Sequence, residues 1–184
     1  MTLLFLDTET TGLTSQDQIL EVAGFLTDDD GLNPREHFRE VIGLTARGDH
    51  RLNTNAYVKS MHRKSGLLDE LQYITNLDYA ARLDSVLKLI RAMTDKNTEL
   101  AGFSVHFDAR MLLSAWRQDD WKGATGMSYR YLDVSSVVRA VKEATGIDCR
   151  PATDVVHRAL DDAEAARLTY VACLQVMRER HVIS

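Results

Sequence analysis

Six side chains could do chemistry together. Asp7 and Glu9 stand two apart in "FLDTETTGL", directly after an apolar run. Asp108 follows "ELAGFS", and His157, Asp161 and Asp162 fall within "VHRALDDAEAA". No basic residue accompanies Asp7 and Glu9 in their stretch, and burying charge without compensation costs several kcal/mol. A hard divalent cation is the natural compensator: Mg²⁺ takes carboxylates together with substrate phosphate oxygens. Two such ions about 3.5–4 Å apart stabilise the attacking and leaving oxygens of a phosphoryl displacement. A nearby histidine, with an ordinary pKa of about 6.5, can accept a proton from the attacking water. Each residue alone also has a plainer reading. Asp108 and either Asp161 or Asp162 could be helix caps or first-turn acids favoured by the helix dipole, and His157 a packed or surface histidine.

Positioning these groups requires elements that end where they stand. "TLLFLDT" reads as a buried strand, which points Asp7 and Glu9 to one face. "QILEVAGFLTD" and "REHFREVIGL" read as two more strands joined by the turn "DDDGLNP", giving an antiparallel meander. Tyr79, Leu83, Val86, Leu87, Ile90 and Met93 recur at helical spacing. "TELAGFS" reads as a strand leading into the helix "FDARMLLSAWRQ", which Asp108 opens. "YRYLDVSSVVRAVKEATG" is another strand-to-helix unit ending at Gly146, and "ALDDAEAARLTYVACLQVMRER" is a strong terminal helix. The order βββ-α-β-α-β-α with a final helix implies an α/β fold, one mixed sheet flanked by helices.

Composition limits the function classes. The 184 residues, 45% hydrophobic and 27% charged, suit one domain spanning 1–184. A net charge of −5 argues against wrapping long nucleic acid, because phosphate neutralisation by Lys and Arg supplies non-specific affinity. No apolar run approaches the roughly 20 residues of a spanning helix, and "MTLLFLD" lacks a basic flank, so a cytoplasmic protein with no membrane association is expected. Cys149 and Cys173 are far apart and form no CxxC pattern, which suits free thiols in a reducing compartment.

Together, "FLDTETTGL", "GFSVHFD" and "HRALDDA" resemble the three motifs of the DEDDh (DnaQ-like) 3′–5′ exonuclease superfamily, which has an RNase H-like fold with a five-stranded mixed sheet. Within it the chain is most similar to the oligoribonucleases, through "HRKSGLL" at 62–68, "YRYLDVSS" at 129–136 and "HRALDD" at 157–162. The resemblance implies a metal site of Asp7, Glu9, Asp108 and Asp162 holding two Mg²⁺ or Mn²⁺ ions, with His157 as general base. The family's last Asp lies five residues after its His, which selects Asp162 over Asp161. Five helical residues turn through about 500°, so His157 should precede the helix proper; a His157–Asp161 pair would be the ordinary helical alternative.

The same resemblance implies substrate-binding roles. Leu13 would wedge between bases and His62 would line the site, against the plainer readings of a core leucine and an exposed loop histidine. Ser104, Arg130 and Ser135 would hold a terminal 5′ phosphate, with Tyr129 supplied across a homodimer interface. The implied substrate is short single-stranded RNA. The "LDTET" form, shared with DNA-directed relatives, makes single-stranded DNA the alternative; a non-catalytic nucleic-acid-binding protein on this fold is a remote third.

Overall fold

A computed structural model describes residues 1–74, 78–151 and 156–181. Strands β1 (Thr2–Thr10), β2 (Ile19–Asp28) and β3 (Arg35–Val41) form the expected meander. Three short helices follow: α1 (Ala46–Thr54), α2 (Ala56–Lys64) and α3 (Leu67–Leu71). Then come α4 (Tyr79–Met93), β4 (Thr98–Gly102), α5 (His106–Trp116), α6 (Trp121–Thr125), β5 (Tyr131–Asp133), α7 (Val134–Thr145) and α8 (Ala159–His181). The sheet order is β3-β2-β1-β4-β5, antiparallel from β3 to β1 and parallel from β1 to β5. It is the RNase H-like arrangement: a five-stranded mixed sheet with helices on both faces.

Alternation along β1 builds the two cores. Leu4 and Leu6 pack with Val22, Ile90, Met111 and Leu112 beneath α4 and α5. Leu3 and Phe5 point the other way and pack with Phe25, Val138, Ala163 and Ala166 beneath α7 and α8. Asp7 and Glu9 continue the second set, so they face the start of α8. Helix ends follow local chemistry: Asp133 caps α7 by accepting from the Ser135 N–H at 2.9 Å, and Gly146, at φ +77°, closes it.

The site lies where pairing between two parallel strands runs out. β1 and β4 pair only from Thr2↔Thr98 to Phe5↔Ala101. At Gly102 the approach is close enough that a Cβ would lie 2.8 Å from the Leu6 carbonyl oxygen. Beyond it β4 turns away into α5, leaving the second half of β1 without a strand on that side.

Candidate active site

Asp108 replaces the missing strand. It sits in the first turn of α5, and its Oδ1 accepts from the Thr8 N–H at 2.9 Å and from the Thr8 hydroxyl at 2.7 Å. One carboxylate thus ends the ladder of β1 and pins α5 against it. Burial still dominates its electrostatics and pushes it up to about 7 against these bonds.

On the neighbouring face, Glu9 is buried and is pushed up to about 8, by burial first and then by Asp162, Glu21 and Asp108. Asp7 is raised well above the usual carboxylate range by burial and then by Asp108, Glu9, Asp162 and Glu21. Asp162, in the first turn of α8, is raised to about 6 by burial and by Asp161, opposed by a hydrogen bond from the His157 N–H. The repulsions named at Asp7 tie all four acids into one electrostatic cluster. Asp161 belongs to the surroundings of Asp162 rather than to that cluster.

His157 lies before α8, outside the helix, with φ +57°. That turn solves the spacing problem: a left-handed residue ahead of the helix lets the ring and Asp162 converge despite their five-residue separation. Ligand-capable atoms of Glu9, His157 and Asp162 all lie within 4.8 Å of one another.

Among the described residues, no lysine or arginine pairs with Asp7, Glu9, Asp108 or Asp162; the nearest cation-capable group is His62 Nδ1, 3.7 Å from Glu9 Oε2. Uncompensated, converging carboxylates are oxygen donors of the kind Mg²⁺ and Mn²⁺ require, so the residues present fit such ions.

The predicted substrate residues separate into two groups. Leu13 is not a core leucine: its side chain is 74% exposed, while its carbonyl accepts from Arg110 Nη2 at 3.1 Å. His62 is not on an exposed loop. It lies in α2, fully buried, with Nε2 2.8 Å from the Thr10 carbonyl oxygen and Nδ1 without a hydrogen-bond partner. Burial holds its ring below the usual imidazole value, and Nε2, facing a carbonyl that can only accept, is the donor. Ser104, at φ +48°, donates its N–H to Asp133 Oδ1 and Ser135 Oγ, both at 3.2 Å, which brings the two serines together.

Arg130 does not join them within one chain. It precedes β5, whereas Ser135 follows it, and the pairing of Tyr131 with Leu100 and Asp133 with Gly102 puts a strand between them. Arg130 lies over the Tyr129 ring at 5.9 Å, with Nη1 3.9 Å from Glu99. Tyr129 is exposed beside it.

A model of the exonuclease family matches residues 4–169. The chain belongs to that family. It is a 3′–5′ exonuclease, a phosphodiester hydrolase. Among its relatives, the oligoribonuclease of Tropheryma whipplei is 32% identical over 173 residues, covering 91% of this chain and 90% of that one. The oligoribonuclease of Mycobacterium avium is 30% identical over 171 residues, covering 87% of this chain and 74% of the relative. The fold is also that of Escherichia coli exonuclease I in complex with a dT13 oligonucleotide: TM-score 0.61 at 19% identity, over 99% of this chain and 42% of the longer one. Exonuclease I of Methylocaldum szegediense aligns with TM-score 0.58 at 20% identity, over 97% of this chain and 40% of that chain.

Several residues of this exonuclease's site escaped the sequence reading. Thr8 sits inside the first motif yet looks like a spacer. Glu21 carried a usable signal, being the one acid in the apolar run "ILEVAGFL". Arg110 and Arg158 gave none, because their partners are distant in the chain.

Proposed function

We propose that this exonuclease is a divalent-metal-dependent exoribonuclease that degrades short single-stranded RNA from its 3′ end to nucleoside 5′-monophosphates. The observation that carries the reading is the cluster Asp7, Glu9, Asp108 and Asp162, without a basic partner among the described residues and converging beside His157. The substrate class is supported by the relatives named oligoribonuclease and by the net charge of −5, which argues against wrapping long nucleic acid.

Asp7, Glu9, Asp108 and Asp162 would hold two Mg²⁺ or Mn²⁺ ions, which when bound stabilise charge on the attacking and leaving oxygens. The protein's own part is positional. Thr8 fixes one oxygen of Asp108, and the turn at His157 brings its ring beside Glu9 and Asp162. The His157 ring, turned inward ahead of α8, takes a proton from the attacking water. Water adds to the scissile phosphorus and the 3′ oxygen leaves with the shortened chain, releasing a nucleoside 5′-monophosphate. The exposed Leu13 side chain, its backbone tethered by Arg110, offers an apolar wedge against a base. Ser104 and Ser135 offer hydroxyls for a 5′ phosphate.

The chain acts as a single domain, and a homodimer would complete the site: Tyr129 is exposed, and Arg130, stacked on it, would travel with it across the interface. Turnover of 5′-labelled RNA dinucleotides beside a long single-stranded DNA tests the substrate reading. Faster cleavage of the dinucleotide is expected; faster degradation of the long DNA would replace this reading with that of a general single-strand DNA exonuclease.

A further inference from the structure

Glu21 lies in β2, opposite Glu9 in the register, and its side chain is completely buried. A buried carboxylate there should be a liability, yet, unlike Asp7, Glu9, Asp108 and Asp162, it is paired with arginines. Arg39 Nε reaches Oε1 at 2.5 Å, Arg158 Nη2 reaches Oε1 at 2.9 Å, Arg158 Nε reaches Oε2 at 3.2 Å, and the Ala159 N–H donates to Oε2 at 3.0 Å. Glu70 closes the cluster, accepting from Arg39 Nη2 at 2.5 Å and Arg158 Nη2 at 2.8 Å. Arg158 Nη1 also donates to the Ser65 carbonyl at 3.3 Å. Two guanidiniums and two carboxylates cancel in charge.

The placement of this cluster matters more than its strength, because buried ion pairs add little stability over a well-packed apolar group. Arg158 and Ala159 are the two residues that follow His157. Both are tied to Glu21, one by side chain and one by backbone, where α8 would otherwise begin with an unsatisfied N–H. His157 itself holds φ +57°, which a non-glycine residue keeps only when its surroundings impose it. With the downstream peptide fixed to β2, the His157 ring is left facing Glu9 and Asp162. An apolar residue at position 21 could fill the space but could not hold that backbone.

We infer that Glu21, through Arg158 and the Ala159 N–H, is a positioning residue that sets the orientation of His157 for catalysis, with Glu70 and Arg39 as its outer brace. The inference rests on the assignment of His157 as general base. Groups that orient a reacting or ligating side chain from behind typically contribute about 10- to 100-fold in activity.

The test is a double-mutant cycle on RNA dinucleotide hydrolysis at saturating Mn²⁺, with kcat and KM measured separately. Glu21→Gln keeps the volume and loses the charge. It should lower kcat by about 10- to 100-fold and move KM by no more than about twofold. Added to His157→Ala it should cost almost nothing more, since residues acting through one another are not additive. Arg158→Lys, which keeps the charge but not the fork, should fall between Glu21→Gln and wild type. If Glu21→Gln does not fold, Arg158→Lys and the half-exposed Glu70→Gln carry the same cycle, with the same non-additivity expected. Losses that multiply with those of His157→Ala, or an unchanged kcat, overturn the inference. A His157→Ala enzyme with wild-type kcat overturns the general-base assignment instead, whatever Glu21 does.

Discussion

Asp108 shows how one side chain serves both fold and site. Its Oδ1 takes two donors from Thr8, so Thr8→Val should remove the hydroxyl bond and keep the volume. A hydrogen bond to a carboxylate contributes about 1.5–3 kcal/mol, so urea denaturation should show a loss of that order. Metal affinity should fall with it, because the oxygen is no longer oriented. A second prediction concerns protons. Asp162 at about 6, Asp108 at about 7 and Glu9 at about 8 all lie above unfolded carboxylates, so the folded metal-free chain binds more protons than the unfolded one. Their contribution is fully present below about pH 4 and is lost as pH rises through 6 to 8. In chelator the melting temperature should fall between pH 5.5 and 8.5. Added Mg²⁺ or Mn²⁺ should restore it, by an increment that grows with pH. A metal-free melting temperature that rises over this window would contradict the shared carboxylate site.

The elements differ in how plainly the sequence announces them, and the reason is physical. β1, α4 and α7 carry apolar residues at the spacing of their own geometry, and α8 a long run of strong helix formers, so each is legible alone. The segment 46–71 was not. Helices α1 and α2 are nine residues each, and their buried positions are Gly48 and Leu52, then Val58 and His62, too few for a stripe. A histidine fills the place of a core residue there, which is why His62 also reads as an exposed loop residue. Its burial follows from the Thr10 carbonyl and Glu9, contacts some fifty residues away. The candidate metal ligands were legible because each stands at an element end with a distinctive type. Glu21, Arg110 and Arg158 were not, since nothing local marks a tether. Arg110 makes a separate prediction, because its α5 guanidinium holds the carbonyl of the exposed Leu13. Arg110→Ala should release that loop and raise KM for the dinucleotide by about tenfold, the worth of one charged hydrogen bond, while kcat stays near wild type. An unchanged KM would remove Leu13 and its tether from substrate recognition.

At the scale of the molecule, the mixed sheet gathers what the chain order disperses. Asp7 and Glu9 come from the central strand, Asp108 from the helix after its parallel neighbour, and His157 and Asp162 from the approach to the last helix. No helix among the described residues is long and apolar enough to cross a membrane. The separation of Arg130 from Ser104 and Ser135 is also a fact of topology, because β5 stands between them. If a homodimer supplies Tyr129 and Arg130, mixing inactive Asp108→Ala and Tyr129→Ala subunits should restore activity, since one site of each mixed pair is intact. No rescue, with a monomeric mass by light scattering, would confine the site to one chain. The central claim is that the carboxylates at the end of β1 hold the metal on which hydrolysis depends. Its most direct test is the hydrolysis rate of a 5′-labelled RNA dinucleotide by the Asp7→Asn protein over an Mn²⁺ titration. A loss of at least about a hundredfold that saturating metal does not recover is expected; an Asp7→Asn enzyme as fast as the wild type would contradict metal binding at this carboxylate.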